Sequence, residues 1–211
     1  QAGLVEAGEY PGMKLENVAT LVLAGGTVKD PAAWGGVTNR AMVEVGGRPL
    51  LDHVLQALKR SAPGRVLVAG DVPLPNGCIA APGGASLLDT LLSGVAQLEP
   101  HETRLLIVTA DLPFLTGEAV RDVLKRAPKD AAFVYPIVEA ALCYERFPTM
   151  KRTVVKTAQG FFTGGNLALV DVDFVRANED KIRSAYDARK SPLRLAGMLG
   201  GGTLLRLLVS P

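Results

Sequence analysis

The sequence predicts an α/β protein of the doubly wound class, a mostly parallel sheet between two helix layers, on three observations. The first is a short apolar run, Val18 to Ala24, stopped by Gly25 and Gly26, which has the length and boundary of a strand buried on both faces. The second is the alternation of such runs with stretches of helical periodicity as far as Val138. That rhythm belongs to βα units, whose parallel strands are joined by covering helices. The third is a length of 211 residues with 48% hydrophobic and 21% charged side chains, enough apolar material for a full core without disulfide or metal staples.

Taken in order, residues 1–12 are Gly- and Glu-containing, carry no cationic apolar signal and precede Met13. They are read as a leader or remnant, and 13–211 as a single domain. After the first strand, Leu50 to Lys59 places Leu51, Val54, Leu55 and Leu58 at helical spacing, and Arg65 to Ala69 follows Pro63 and Gly64 as a second strand. Ser86 to Leu98 is read as a helix with Leu87, Leu88, Leu91, Leu92 and Val95 on one face, and Arg104 to Ala110 as the third long strand. Glu118 to Lys125 reads as a helix entered at Thr116, and Ala131 to Val138 as a strand ended or edged by Pro136. The rhythm then breaks. Glu145 to Lys156 is charged and irregular, Phe161 to Val170 is apolar around a Thr-Gly-Gly-Asn turn, and about 139–170 is read as an insertion. Phe174 to Leu208 reads as helix in two pieces parted near Ser191 and Pro192.

Composition excludes several classes of function. A net charge of +2 makes no nucleic-acid footprint. Cys78 and Cys143 stand far apart with no CxxC spacing, so neither a zinc cage nor a disulfide framework is expected. With no span for a membrane, a cytoplasmic protein acting on small molecules is the expectation.

Chemistry enters at the end of the first strand. Leu23, Ala24, Gly25, Gly26 and Thr27 run into a loop that holds Lys29 and ends at Asn39-Arg40. Ligands of open α/β sheets gather at the carboxyl ends of strands, and adjacent glycines let backbone N–H groups approach phosphate oxygens. Lys29 and Arg40 are the candidate counter-charges; a tight βα turn with solvated basic residues is the structural alternative. The GxGxxG dinucleotide fingerprint and the GxxxxGK[ST] phosphate loop are both missing from the sequence. The next signal is Asp111, which closes the third strand before Leu112-Pro113. One strand-end carboxylate suits Mg²⁺, which keeps several waters and shares substrate phosphates; an N-cap role is the alternative. Pro82-Gly83-Gly84-Ala85-Ser86 opens the next helix, with Ser86 as its cap or as a contact at the edge of a nucleobase. Thr163, Gly164, Gly165 and Asn166 form a turn able to meet sugar or phosphate hydroxyls, or a plain hairpin, and Arg152 among nearby basic residues could hold an acidic ligand. His53 and His101 stand outside these motifs.

In this order the motifs resemble the MobA-like nucleotidyltransferases, among them molybdenum cofactor and cobinamide-phosphate guanylyltransferases and sugar-1-phosphate nucleotidyltransferases. The resemblance covers roughly Leu21 to Val170. Its carriers are Leu23-Ala24-Gly25-Gly26 and the stretch Asn39-Arg40-Ala41-Met42-Val43-Glu44-Val45-Gly46-Gly47-Arg48-Pro49-Leu50-Leu51. It implies a Rossmann-like nucleotide-diphospho-sugar transferase fold with three α/β/α layers. It also implies transfer of a nucleoside monophosphate from a triphosphate, GTP in several members, to a small phosphorylated acceptor. In that scheme Arg40, Lys29 and Asp111 are catalytic, and Asp111 holds Mg²⁺. Leu23 to Thr27 with Gly83, Gly84 and Ser86 hold the nucleotide. Thr163 to Asn166 with Arg152 sit on the acceptor side, in the insertion. The family commonly has lysine at the place of Arg40 and an acidic, proline-containing segment near its end, so a nucleotide-binding regulatory domain is the second expectation. A glycosyltransferase, which would use a pair such as Asp171-Val172-Asp173, ranks third.

Overall fold

The structure, a computed structural model, describes residues 14–61, 64–157 and 159–188. They divide into two compact units. One runs up to Pro136 and takes in Asn166–Asp173; the other holds Ile137–Gly165 and the residues from Phe174 on.

The first unit is built on a six-stranded sheet. Its strands are β1 (Val18–Leu23), β4 (Val66–Ala69), β5 (Cys78–Ala81), β6 (Arg104–Thr109), β7 (Phe133–Val134) and β11 (Leu167–Asp171). A small hairpin of β2 (Glu44–Val45) and β3 (Arg48–Pro49) precedes helix α1 (Leu50–Ser61). Helices α2 (Leu87–Ala96) and α3 (Gly117–Arg126) complete the unit. The strand order is β5-β4-β1-β6-β11-β7. β5, β4, β1 and β6 are mutually parallel, and β11 is antiparallel to both β6 and β7.

Two helix layers cover this sheet, and the residues that face each layer follow from the two-residue period of a strand. Val18 and Val22 of β1, Val68 of β4, Leu106 and Val108 of β6 and Leu167 and Leu169 of β11 share one core with Leu51, Val54 and Leu58 of α1 and Val120 and Leu124 of α3. Leu21 points to the opposite face, where Gly94 of α2 packs so tightly that an added Cβ would lie 2.7 Å from the Leu21 methyl. The expected doubly wound, mostly parallel three-layer arrangement is therefore observed in this unit. Every one of these core leucines and valines is at most 6% exposed, so truncating any of them would open a cavity.

The sheet departs from the expectation in several places. β4 and β5 are joined through residues 70–77 without a helix. The run Ala131 to Val138 does not form one strand: Phe133–Val134 pairs in the large sheet, and Ile137–Glu139 (β8) belongs to the second unit. Proline lacks the N–H a continuing ladder needs, which accounts for the break at Pro136. In α2, Leu88 and Val95 are buried but Leu87 is 58% exposed. Leu87 lies at one edge of the stripe centred on Leu88 and Val95, so the five-residue apolar face is too wide by that leucine.

The second unit contains β8, helix α4 (Ala140–Arg146), β9 (Val155–Thr157) and β10 (Gly160–Gly164), then most of α5 (Val172–Ala177) and α6 (Glu179–Ala188). Its antiparallel sheet has the order β8-β10-β9, and α4 packs on β8 and β10. Glu145 and Arg146 are thus helical, and the irregular stretch is confined to 147–154. The hairpin alternative at Thr163 to Asn166 is excluded, because β10 and β11 lie in different sheets. The helical piece expected beyond Pro192 and the leader of residues 1–12 lie outside the described residues. Among those described, no helix is long and apolar enough to cross a membrane.

Candidate active site

The carboxyl ends of β1, β4 and β6 lie side by side, because Leu23 is in register with both Ala69 and Thr109. Past those ends is a cleft of about 390 Å³. Its floor is Leu23, Ala24, Gly25 and Gly26 after β1, Ala69 and Gly70 after β4, and Thr109, Ala110 and Asp111 after β6. Residues 83–87 and Thr90 form one wall, and Arg40 with Ala41 another. Chain stretches far apart in sequence meet here for a simple reason: parallel strands all deliver their carboxyl ends to the same edge.

Three devices shape the cleft. The first is Asn39, whose side-chain Nδ2 donates to the carbonyls of Ala24 (2.9 Å) and Asp71 (3.0 Å) while its Oδ1 accepts from the Ala41 N–H (2.9 Å). One amide thus ties the ends of β1 and β4 to the turn that carries Arg40. The second is Gly70, where a Cβ would fall 2.4 Å from the Ala24 carbonyl at a φ of +156°; only glycine allows the two strand ends to approach so closely.

The third is the entrance to α2. The Ser86 hydroxyl accepts from the Asp89 N–H (3.1 Å) and donates to the Asp89 carboxylate (2.7 Å), so its side chain serves as the helix cap. Thr90 Oγ1 donates to the Ser86 carbonyl (3.0 Å) and accepts from the Gly84 N–H (2.9 Å). An alanine at 84 would place its Cβ 2.3 Å from Asp89 Cβ and 2.6 Å from the Thr90 nitrogen, whereas a Cβ at 83 meets nothing within 4 Å. Gly84→Ala is accordingly expected to lower stability by about 2 kcal/mol through overpacking against helix backbone, and Gly83→Ala to leave it within about 0.5 kcal/mol. Chemical denaturation of both variants checks this; equal midpoints would refute the steric account.

Arg40 and Asp111 are the charged pair of the cleft lining. Arg40 Nη1 donates to Asp111 Oδ2 at 3.0 Å, Nη2 donates to the Thr27 carbonyl at 3.0 Å, and the Arg40 N–H donates to the Gly26 carbonyl at 2.7 Å. Burial pushes the Asp111 carboxyl up, but the neighbouring Thr109 hydroxyl and Arg40 outweigh it and hold the group below the ordinary carboxylate range. Of these two the guanidinium makes the hydrogen bond of ordinary geometry, while the Thr109 hydroxyl lies close without one.

The cleft gathers Leu23, Ala24, Gly25, Gly26, Arg40, Gly83, Gly84, Ser86 and Asp111 from the candidate residues. Thr27 and the exposed Lys29 stand in the adjoining loop and do not line it. Asn166, the non-glycine residue with positive φ (59°) among those described, accepts from the Thr109 N–H through its carbonyl at 3.4 Å. In the second unit Thr163 is only 4% exposed, and its hydroxyl accepts from Arg152 Nε at 3.1 Å while Arg152 Nη2 donates to the Gly164 carbonyl. The Arg152 fork is thereby engaged by its own unit, pinning the irregular segment to β10. Asn39, Gly70, Thr90 and Thr109 were not singled out as site residues. Only the Asn39 amide beside Arg40 offered a signal; the others are small residues whose role depends on what they face.

A wider groove of about 720 Å³ runs beside α1 and β4 past Arg48, Asp52, Lys59 and Cys78. None of the candidate site residues line it.

The match to known families bears directly on the cleft. The model of the MobA-like NTP transferase domain matches residues 20–146, which span the strands and loops just described. The chain belongs to this family. Like it, a hypothetical transferase from Thermus thermophilus is 39% identical, with 90% of this chain and 81% of that chain covered at a TM-score of 0.77. Among curated proteins, a 3-deoxy-manno-octulosonate cytidylyltransferase of Nitrobacter hamburgensis is 29% identical over 98 residues, covering 41% of this chain and 38% of that protein. Its counterpart from Bradyrhizobium diazoefficiens is 26% identical over 96 residues, 40% and 39% of the two chains. The chain thus spans about two fifths of the curated relatives it matches. The same fold recurs in CMP:2-keto-3-deoxy-manno-octonic acid synthetase complexed with CTP, at 17% identity and a TM-score of 0.59 over 85% of each chain.

The cation expected from the resemblance to nucleotidyltransferases has to fit the side chains that the cleft provides. Among the described residues no three His, Cys, Asp or Glu side chains gather into a cage. Asp111, a lone carboxylate at a strand end, fits Mg²⁺, which keeps its waters and takes further ligands from phosphates. It does not fit an ion that needs an all-protein coordination shell.

Proposed function

We propose that this MobA-like NTP transferase moves a nucleoside monophosphate from a triphosphate to a small phosphorylated or acidic acceptor, releasing pyrophosphate. The observation that carries the proposal is the meeting of the Gly25-Gly26 loop, Arg40 and Asp111 in one cleft at the strand ends. CTP is the donor to test first, since two curated relatives are cytidylyltransferases. GTP, implied by the resemblance to guanylyltransferases, is second. The cleft wall at Gly83, Gly84 and Ala85 offers backbone groups, with the Ser86 hydroxyl already used in capping, so the base would be read by main-chain N–H and C=O groups.

In the proposed reaction an ionised acceptor oxygen attacks the α-phosphorus in line, a new P–O bond forms, the bond to the β-phosphate oxygen breaks, and pyrophosphate takes the electron pair. An acceptor that is already ionised needs no general base, consistent with a cleft lining free of histidine among the described residues. The backbone of Gly25 and Gly26 positions the triphosphate. Arg40 neutralises charge on the phosphate oxygens through its planar fork. Lys29 sits at the loop where the leaving pyrophosphate would exit. Asp111 would hold Mg²⁺, which when bound screens the phosphates and stabilises the leaving group. Thr163 to Asn166 and Arg152 remain the proposed acceptor side, with Arg152 acting by fixing the Thr163–Gly164 backbone.

The experiment is thermal unfolding with each of the four triphosphates, with and without Mg²⁺, in the wild type and in Asp111→Ala. At a hundredfold excess over Kd, ligand adds about 2.7 kcal/mol to the native state, a rise of roughly 5–10 °C for a chain of this size. A magnesium-dependent rise with one triphosphate, lost in the variant, is expected, and a flat response to all four would refute the reading. Binding without pyrophosphate release in an acceptor screen would instead favour the regulatory domain.

A further inference from the structure

Among the described residues that line the cleft, Arg40 is the sole cation and Asp111 the sole anion, and they are bound to each other. We propose that this ion pair is a latch: it keeps a divalent cation off Asp111 until a triphosphate on the Gly25-Gly26 loop draws the guanidinium away. This inference rests on the nucleotidyltransferase reading and goes beyond it, because it makes nucleotide and metal binding mutually dependent.

The geometry supplies the closed position. Arg40 is held at both ends, by its own N–H on the Gly26 carbonyl and by its two terminal nitrogens on Thr27 and Asp111. Its side chain lies across the loop, with Cζ 3.8 Å from where a Cβ on Gly26 would stand. The guanidinium therefore stands beside the exposed Gly26 backbone that phosphates would use and holds the carboxylate that a metal would use. The ion pair joins the Arg40–Met42 turn, itself bonded to the Gly26 and Thr27 carbonyls after β1, to the end of β6.

The chemistry supplies the release. Mg²⁺ sheds water reluctantly, and one carboxylate already neutralised by a guanidinium is a poor reason to do so. Two cations also repel each other within a few ångströms of the same oxygen. A triphosphate changes the balance, because it offers Arg40 several anionic oxygens that suit its fork in place of a single carboxylate oxygen. Once Arg40 turns to the phosphates, Asp111 is left facing them, and a divalent cation between the two relieves the repulsion. Each ligand thus raises the affinity for the other, by the reciprocity that links any two coupled binding events.

The test uses Mn²⁺ as the probe, titrated by electron paramagnetic resonance into wild type, Arg40→Gln, and Arg40→Gln with Asp111→Asn, all without nucleotide. Removing the latch is expected to tighten Mn²⁺ binding at least tenfold over wild type, and the double variant to lose that gain. Arg40→Lys, which cannot reach Thr27 and Asp111 together through two nitrogens, serves if the glutamine variant does not fold, with a gain of about threefold. Unchanged Mn²⁺ affinity in the unlatched variant, alongside a normal triphosphate thermal response in wild type, overturns the latch and leaves the nucleotidyltransferase reading standing. A wild type that answers to no triphosphate overturns both.

Discussion

Arg40→Gln and Asp111→Asn are each expected to lower pyrophosphate release by about 100- to 1,000-fold, the usual loss when one preorganised charge is removed from a phosphoryl-transfer site. The double variant falls no further than the worse single one. Non-additivity is expected because the two side chains are in direct contact at 3.0 Å and act on the same phosphates, so either loss disables the unit. Both are about a third to a half exposed and bear on no core packing, so the folded fraction stays near that of wild type. Steady-state kinetics on the three variants, with the midpoint of unfolding measured in parallel, decides the matter. Effects that multiply, giving a loss near the product of the two singles, would show that the residues work independently.

The largest loss of stability is expected far from the cleft. Glu102 is 1% exposed, yet its carboxylate is fully paired: Arg65 donates Nε to Oε1 and Nη2 to Oε2, both at 2.9 Å, and the Glu99 N–H donates to Oε2 at 2.7 Å. Arg65 also donates to the Glu99 carboxylate (3.0 Å) and the Gln97 carbonyl (2.8 Å). This network joins the loop after α2 to the entrance of β4, at the amino-terminal edge of the sheet. Arg65→Ala strands the buried carboxylate without its counter-ion, a change that costs about 3 to 5 kcal/mol and lowers the midpoint by roughly 10 °C. Arg65→Ala with Glu102→Leu recovers part of that loss, since no charge is then left buried. Because the network lies at the opposite edge from the cleft, nucleotide stabilisation measured below the lowered midpoint is unchanged. A loss under about 1 kcal/mol would mean that water reaches Glu102 and replaces the guanidinium.

Much of the architecture was legible in the sequence, for a local reason. Val18 to Leu23, Val66 to Ala69 and Arg104 to Thr109 are short apolar runs, the first two stopped by Gly and the third by Asp111 ahead of Pro113, and α1 and α3 carry their buried residues at three- and four-residue spacing. A strand buried on both faces and a helix buried on one write their burial into consecutive residues, where a short window can find it. Thr116 and Ser86 were legible as caps because capping is also local. The region after Val138 was less so. There α4 is only seven residues long and β8, β9 and β10 hold three to five residues each, too few to establish a period before the chain turns.

For the cleft, the sequence by itself determined the chemistry on offer: two glycines at the end of a strand, a cation at 40, a carboxylate at 111, and a glycine turn before α2. Tertiary structure alone decided how these are used. Arg40 and Asp111 lie 71 positions apart, and nothing in either neighbourhood says that they pair; the bonds from Asn39 and Arg40 to the Ala24 and Gly26 carbonyls, with the register of β1 and β6, place them together. Likewise, Gly84 is dictated by the helix backbone it touches, and Arg152 is held by Thr163 and Gly164. The physical reason is one of range. Burial and capping are settled between near neighbours along the chain, whereas the partner of a charge is settled by which strand ends the sheet brings side by side.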